Sequence, residues 1–307
     1  MGGRAFRGAH RADMKTKSKI WLGVGAFVVA GTGAAGAGGP SPAQTPVLAG
    51  LSTARGAITD TAIPRAPAGG FVLAQHADHG KEAGEGGESK NLANLPPDLA
   101  FGVRLALLRG HLSVGDELIK QKQWNAALPH FLHPIEEIYD DLRDKLEDYE
   151  TPPFDTALQK LADLVKAKKN GNDYAKAFNA VSDALAAADA GLRSRQADWA
   201  GFRTEAAIEA MKAAAGEYEA ALVGGKIAKP VEYQDARGFI WQAERMIDSV
   251  AVELQKKDAA ALKDVRAGLA ELKKAFPSAM PPRTPVKDHA GLLAIIARIE
   301  LSAGKLM

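Results

Sequence analysis

The sequence predicts an all-α protein, an antiparallel helical bundle built of helical hairpins that follows a disordered N-terminal linker. Three observations carry this prediction. From Leu95 onward, apolar residues recur at helical spacing. No run alternates apolar and polar residues long enough to make a sheet. The breakers Asn170-Gly171-Asn172, Gly224-Gly225, Pro230 and Pro281-Pro282 divide the chain into pieces of helix length.

The elements follow in order. Residues 1–37 read as a cleavable export signal: Lys15, Lys17 and Lys19 precede an apolar run from Ile20 to about Ala30, and Ala35-Gly36-Ala37 fits an A-x-A cleavage site. Met14 is the expected start. The apolar run is shorter than the roughly 20 residues a membrane span needs, so the mature protein is expected to be soluble and periplasmic. Residues 38–94, rich in Gly, Ala, Pro, Ser and Thr, are expected to be a flexible linker. An all-helical domain then occupies 95–307. Its first helix opens at Pro96-Pro97-Asp98, with proline and an acidic residue where a helix N-terminus favours them, and runs to about Lys122. A second is expected from Trp124 to about Asp148, kinked by Pro129 and Pro134, which remove helical amide donors. Others are expected over 154–168, 172–193, 196–223, 231–256, 258–275 and 286–304.

Composition narrows the function classes. The chain has no cysteine, which excludes a disulfide framework, thiolate metal sites, c-type haem attachment and a cysteine nucleophile. Six of the 39 basic residues and one of the 37 acidic ones lie in residues 1–37. The remainder therefore holds 33 basic and 36 acidic residues and is weakly acidic. Such a body is a poor partner for phosphate backbones, so no nucleic-acid partner is expected. Neither a glycine-rich nucleotide loop nor a Ser/His/Asp constellation is present, and the chain is not expected to be an enzyme.

The first hairpin concentrates potential metal ligands. His130 and His133 stand at i and i+3, and Glu136 and Glu137 follow His133 by three and four residues, so they can share a helix face. If the chain turns back near Lys122, His111 on the preceding helix comes opposite His133. His111, His130, His133, Glu136 and Glu137 make a reasonable set for a divalent or trivalent ion, iron or copper. The alternative is a solvated acidic face of Glu136, Glu137, Asp140 and Asp141, with His130 packed beside Trp124 and His133 on a freed carbonyl. A second stretch, Glu217 to Phe239, carries Glu217, Tyr218, Glu232 and Tyr233, which are possible additional ligands. Capping also accounts for it: Glu232 and Asp235 suit the first turn of a helix starting near Pro230, Arg237 can pair with either, and Tyr218 and Tyr233 can close the turn.

A stretch from about Ala213 to Phe239, with AAGEYEAALVGGKIAKPVEYQDARGF over Ala214 to Phe239, resembles the extracytoplasmic helical segment associated with bacterial high-affinity iron permeases. His133-Pro134-Ile135-Glu136 is similar to the HxxE signature of imelysin-like periplasmic proteins. These resemblances imply an all-helical metal-binding accessory protein linked to iron uptake or delivery, whose partner is a membrane metal transporter or another envelope protein. Gly115, Ala127 and Phe131 also resemble the packing residues of a tetratricopeptide-type hairpin. That likeness implies the alternative, a scaffold that would dock an envelope protein on exposed Trp124, Phe131, Phe239 and Trp241.

Overall fold

A computed structural model describes residues 92–307 of the chain. The expected export signal and nearly all of the linker lie outside the described residues. Helix α1 (Pro97–Lys120) begins with proline, which has no amide to leave unsatisfied, and places Asp98 and Lys120 at the ends that the helix dipole favours. It is buried on several sides because it packs against six other elements, so its apolar residues are not confined to one stripe.

The chain reverses at Lys122, which adopts a left-handed conformation (φ 61°). The single helix expected over 124–148 is not formed. The segment is instead α2 (Trp124–Ala127), α3 (Pro129–His133), a π-helical turn (Pro134–Ile138), α4 (Tyr139–Arg143) and a 3₁₀ turn (Glu147–Tyr149). Each proline removes a donor and crowds the preceding turn, so the helix restarts at Pro129 and widens after Pro134. Helices α5 (Asp155–Lys166) and α6 (Asn172–Ser194) follow, close to their expected bounds.

The C-terminal half begins with α7 (Trp199–Ala221), capped by Asp198, whose carboxylate accepts from the Gly201 amide. A two-residue antiparallel ribbon, β1 (Leu222–Val223) and β2 (Lys226–Ile227), comes next. It turns through Gly224 and Gly225, whose positive φ values of 58° and 73° suit a two-residue hairpin loop. Helix α8 (Pro230–Ser249) starts with proline; the helix expected to continue to 256 breaks at Val250 into α9 (Ala251–Lys257). Helices α10 (Ala259–Lys273) and α11 (His289–Ala303) are capped by Asp258 and Asp288. Helix α7 packs on α8 and α11, and α10 packs on α8 and α11, which closes a four-helix unit.

Helix α1 lies across this unit against α7 and α8. Its approach to α8 is a backbone contact, because a Cβ on Gly238 would strike the carbonyl of Gly110. The hairpin closes with similar intimacy: a Cβ on Gly115 would stand 2.6 Å from the Phe131 ring. The aromatic groove that a docking scaffold would need is not formed by the four residues expected to line it. Phe131 and Phe239 are core residues, Trp124 and Trp241 are half-buried, and Arg237 and Lys273 cover the Trp241 ring.

Candidate metal centre

The Gly110–Gly238 crossing brings α1 and α8 close enough for short side chains to meet. His111 follows the crossing on α1, and Asp235 precedes it on α8 by nearly one turn. His111 Nδ1 sits 2.6 Å from Asp235 Oδ1. The hairpin supplies the third wall. His130 Nδ1 lies 2.7 Å from the same carboxylate oxygen, its Nε2 lies 2.9 Å from Gln234 Oε1, and His133 Nδ1 lies 3.8 Å from Asp235 Oδ2. The His111 ring stands 5.9 Å from that of His133 and 6.3 Å from that of His130. Phe239 packs edge-on against it.

His111, His130 and Asp235 are buried, whereas the His133 side chain keeps 18% of its surface exposed and forms the opening to solvent. Burial by itself would push the Asp235 carboxyl up. The charges and hydrogen bonds of His111 and His130 outweigh it and hold Asp235 well below the usual carboxylate range. At His133, burial works against the charged ring, but the facing Asp235 carboxylate overcomes it with help from Glu137, so its pKa is raised above 6.5. An ionised carboxylate thus sits among three imidazoles.

The donor atoms of His111, His133 and Asp235 lie within 4.8 Å of one another. His130 faces the same carboxylate, but Asp235 and Gln234 occupy both of its ring nitrogens, so its role is to hold the carboxylate in place. The π turn separates the two glutamates. Widening the helix after Pro134 spoils the i, i+3 relation that would stack Glu136 on His133. Glu136 is exposed, while the charge of Glu137 reaches His133.

The second ligand-rich stretch is committed elsewhere. Tyr218 donates to the Lys287 carbonyl at 2.5 Å and Tyr233 to the Ser278 carbonyl at 3.0 Å, while the two rings face each other beside the turn with centroids 6.5 Å apart. Both rings pack on Phe276. Glu232 pairs with Lys229 at 3.6 Å, and Glu217 is buried on α7. Arg237 does not pair with Asp235 or Glu232 as expected. It grips Glu117 of α1 through Nε (3.1 Å) and Nη2 (2.9 Å), donates to the Phe276 carbonyl, and stacks on Trp241. Asp235 thus meets His111 of α1 and the hairpin imidazoles, while Arg237 ties α8 to α1 nearer the C-terminal end of α1, at Glu117.

The four-helix unit α7, α8, α10 and α11, with its Tyr218 and Tyr233 junction, is the part that sequence resemblance singles out. Residues 193–307 match the iron permease-associated 4-helix bundle domain. This match contains the stretch 213–239 on which the resemblance rested. No curated protein and no solved structure gives a significant match to the chain. Among the described residues, no helix is long and apolar enough to cross a membrane. The metal-centre candidate straddles the edge of the iron permease-associated bundle: Asp235 and Gln234 belong to it, whereas His111, His130 and His133 come from the helices laid against it. Asp235 is the residue that sequence reasoning missed. Its sequence signal is the pair Gly110 and Gly238, small residues one and three positions from His111 and Asp235 on two distant helices.

Proposed function

We propose that this protein is a periplasmic metal-binding accessory of iron uptake, a carrier and not an enzyme, that holds its ion on His111, His133 and Asp235. The observation that carries this reading is the convergence of those three donors, from three separate segments, to within 4.8 Å. Two imidazoles and one carboxylate suit a divalent transition ion, with ferrous iron the first choice and copper the second. Ferric iron favours more oxygen donors, and the two tyrosines that would supply them are engaged with backbone carbonyls. Glu137 stands beside His133 as a further carboxylate. The match to the iron permease-associated bundle supports a membrane iron transporter as partner, and the basic residues and apolar run at the N-terminus support export.

The test is metal analysis of untagged protein purified from the periplasm, followed by calorimetric titration with ferrous, cupric and zinc ions. Stoichiometric binding is expected in the native chain. His133→Ala, at the solvent-exposed opening, should lose it without loss of a cooperative melt, and Glu136→Ala should retain it. Equal affinity in native protein and His133→Ala would sink the assignment.

A further inference from the structure

Arg109 and His111 lie about 200° apart around α1. The opposite side of this helix from the metal centre carries a second, separate cluster. There Arg109 Nη2 meets Asp189 Oδ2 of α6 at 3.0 Å, and Arg203 Nη1 of α7 approaches the same oxygen at 3.6 Å. The three side chains are 19%, 23% and 10% exposed in the order Arg109, Asp189, Arg203. Two guanidiniums therefore share one carboxylate in a largely desolvated place. Arg245 of α8 also lies within reach of the Arg109 charge, but Glu244 offsets it. The Arg203 guanidinium lies over the Trp199 ring, which covers it without neutralising it.

The charge imbalance comes with unfilled valences. Arg109 Nη1, Arg203 Nε and Asp189 Oδ1 are buried and have no hydrogen-bond partner among the described residues. Each belongs to one of the three groups that meet at Asp189 Oδ2, so all three lie within a few ångströms of that contact. Buried polar groups are normally satisfied, and a buried excess of positive charge costs more than a neutral vacancy. The missing partner must accept from two guanidiniums, bring negative charge, and donate to one carboxylate oxygen.

We propose that Arg109, Arg203 and Asp189 form a binding site for a small oxyanion that still carries a proton, such as hydrogenphosphate or hydrogencarbonate. Its oxygens accept from Arg109 Nη1 and Arg203 Nε, its charge offsets the second guanidinium, and its hydroxyl donates to Asp189 Oδ1. Sulfate, which has no proton at neutral pH, would set an oxygen lone pair against Asp189 and is rejected.

Calorimetric titration of the metal-free chain with inorganic phosphate, hydrogencarbonate and sulfate at matched ionic strength tests this. Phosphate or hydrogencarbonate should bind at least about tenfold more tightly than sulfate, and whichever of the two responds identifies the source. Asp189→Asn turns an acceptor into an amide donor and should reverse the preference toward sulfate. Arg109→Gln, and Arg203→Gln if it melts cooperatively, should weaken every anion by about tenfold or more. Heat from neither phosphate nor hydrogencarbonate would mean that water fills the three valences, and the proposal falls. It falls equally if Asp189→Asn leaves the phosphate-to-sulfate ratio unchanged. Because the titration uses metal-free protein, failure here leaves the metal reading untouched.

Discussion

Asp235 is the residue on which the site turns. A buried carboxylate without cations or donors would take up a proton; here His111 and His130 hold it ionised. Asp235→Asn keeps the shape but removes the charge, and it should abolish metal binding in the calorimetric titration. Removing one partner of a buried hydrogen-bonded network leaves the others unsatisfied, so Asp235→Ala should cost about 2–4 kcal/mol in urea unfolding. A different carboxylate gives the clearer pH effect. Asp198 is lowered below its ordinary value by Lys257 and by the Gly201 amide it caps. Its stabilising contribution is therefore present above the unfolded value near 3.9 and is lost as pH falls through the lower folded value. Asp198→Asn retains a capping oxygen but not the charge. It should be less stable than the native protein at pH 7, with the difference shrinking below about pH 4 in parallel denaturant titrations.

At the scale of the element, two devices build the site, and both distort a regular helix or its spacing. The first is the Gly110–Gly238 contact, which removes a layer of side chains between α1 and α8 so that an imidazole and a carboxylate can touch. Gly238→Ala must push the helices apart, costing about 1–3 kcal/mol and weakening metal binding together with stability. Gly216→Ala is the control. It lies within α7 with open space where its Cβ would go, and alanine there should be neutral or stabilise by up to about 1 kcal/mol. If both variants lose metal affinity alike in calorimetry, the close crossing is not what assembles the site. The second device is the proline pair. Pro129 and Pro134 turn one expected helix into short pieces around a π turn, which keeps His130 and His133 on the α1 side while separating Glu137 from Glu136.

At the scale of the whole molecule, the described chain is a four-helix unit with a helical layer laid against it, and the candidate metal centre exists only where the two meet. Helix α1 buries Leu105, Leu107, Leu108 and Leu118 almost completely, and it packs on α7 and α8. The iron permease-associated bundle alone, residues 193–307, would expose that face as an apolar patch of the kind that drives aggregation. Expressed alone, it is expected to bind the dye ANS, to melt without a cooperative transition, and to bind no metal. A sharp melt of the isolated bundle would show that the α1 layer is an addition to the domain and not part of its core.

The sequence by itself determined what depends on near neighbours. Apolar spacing, prolines, glycines and capping residues placed α5, α6, α10 and α11 close to their observed limits, because those signals act within a few residues. Antiparallel return after Lys122 was enough to bring His111 opposite His133, since a short hairpin leaves the second helix little choice of where to lie. The tertiary structure alone decided the rest. Asp235 reaches His111 across more than a hundred residues of chain through a glycine contact that has no local signature, and Arg237 finds Glu117 the same way. Tyr218 and Tyr233 resemble ligands in one dimension, yet they are spent on the carbonyls of the segment between α10 and α11. Buried polar groups take the partners that packing puts within reach, and packing is settled by the whole set of faces at once.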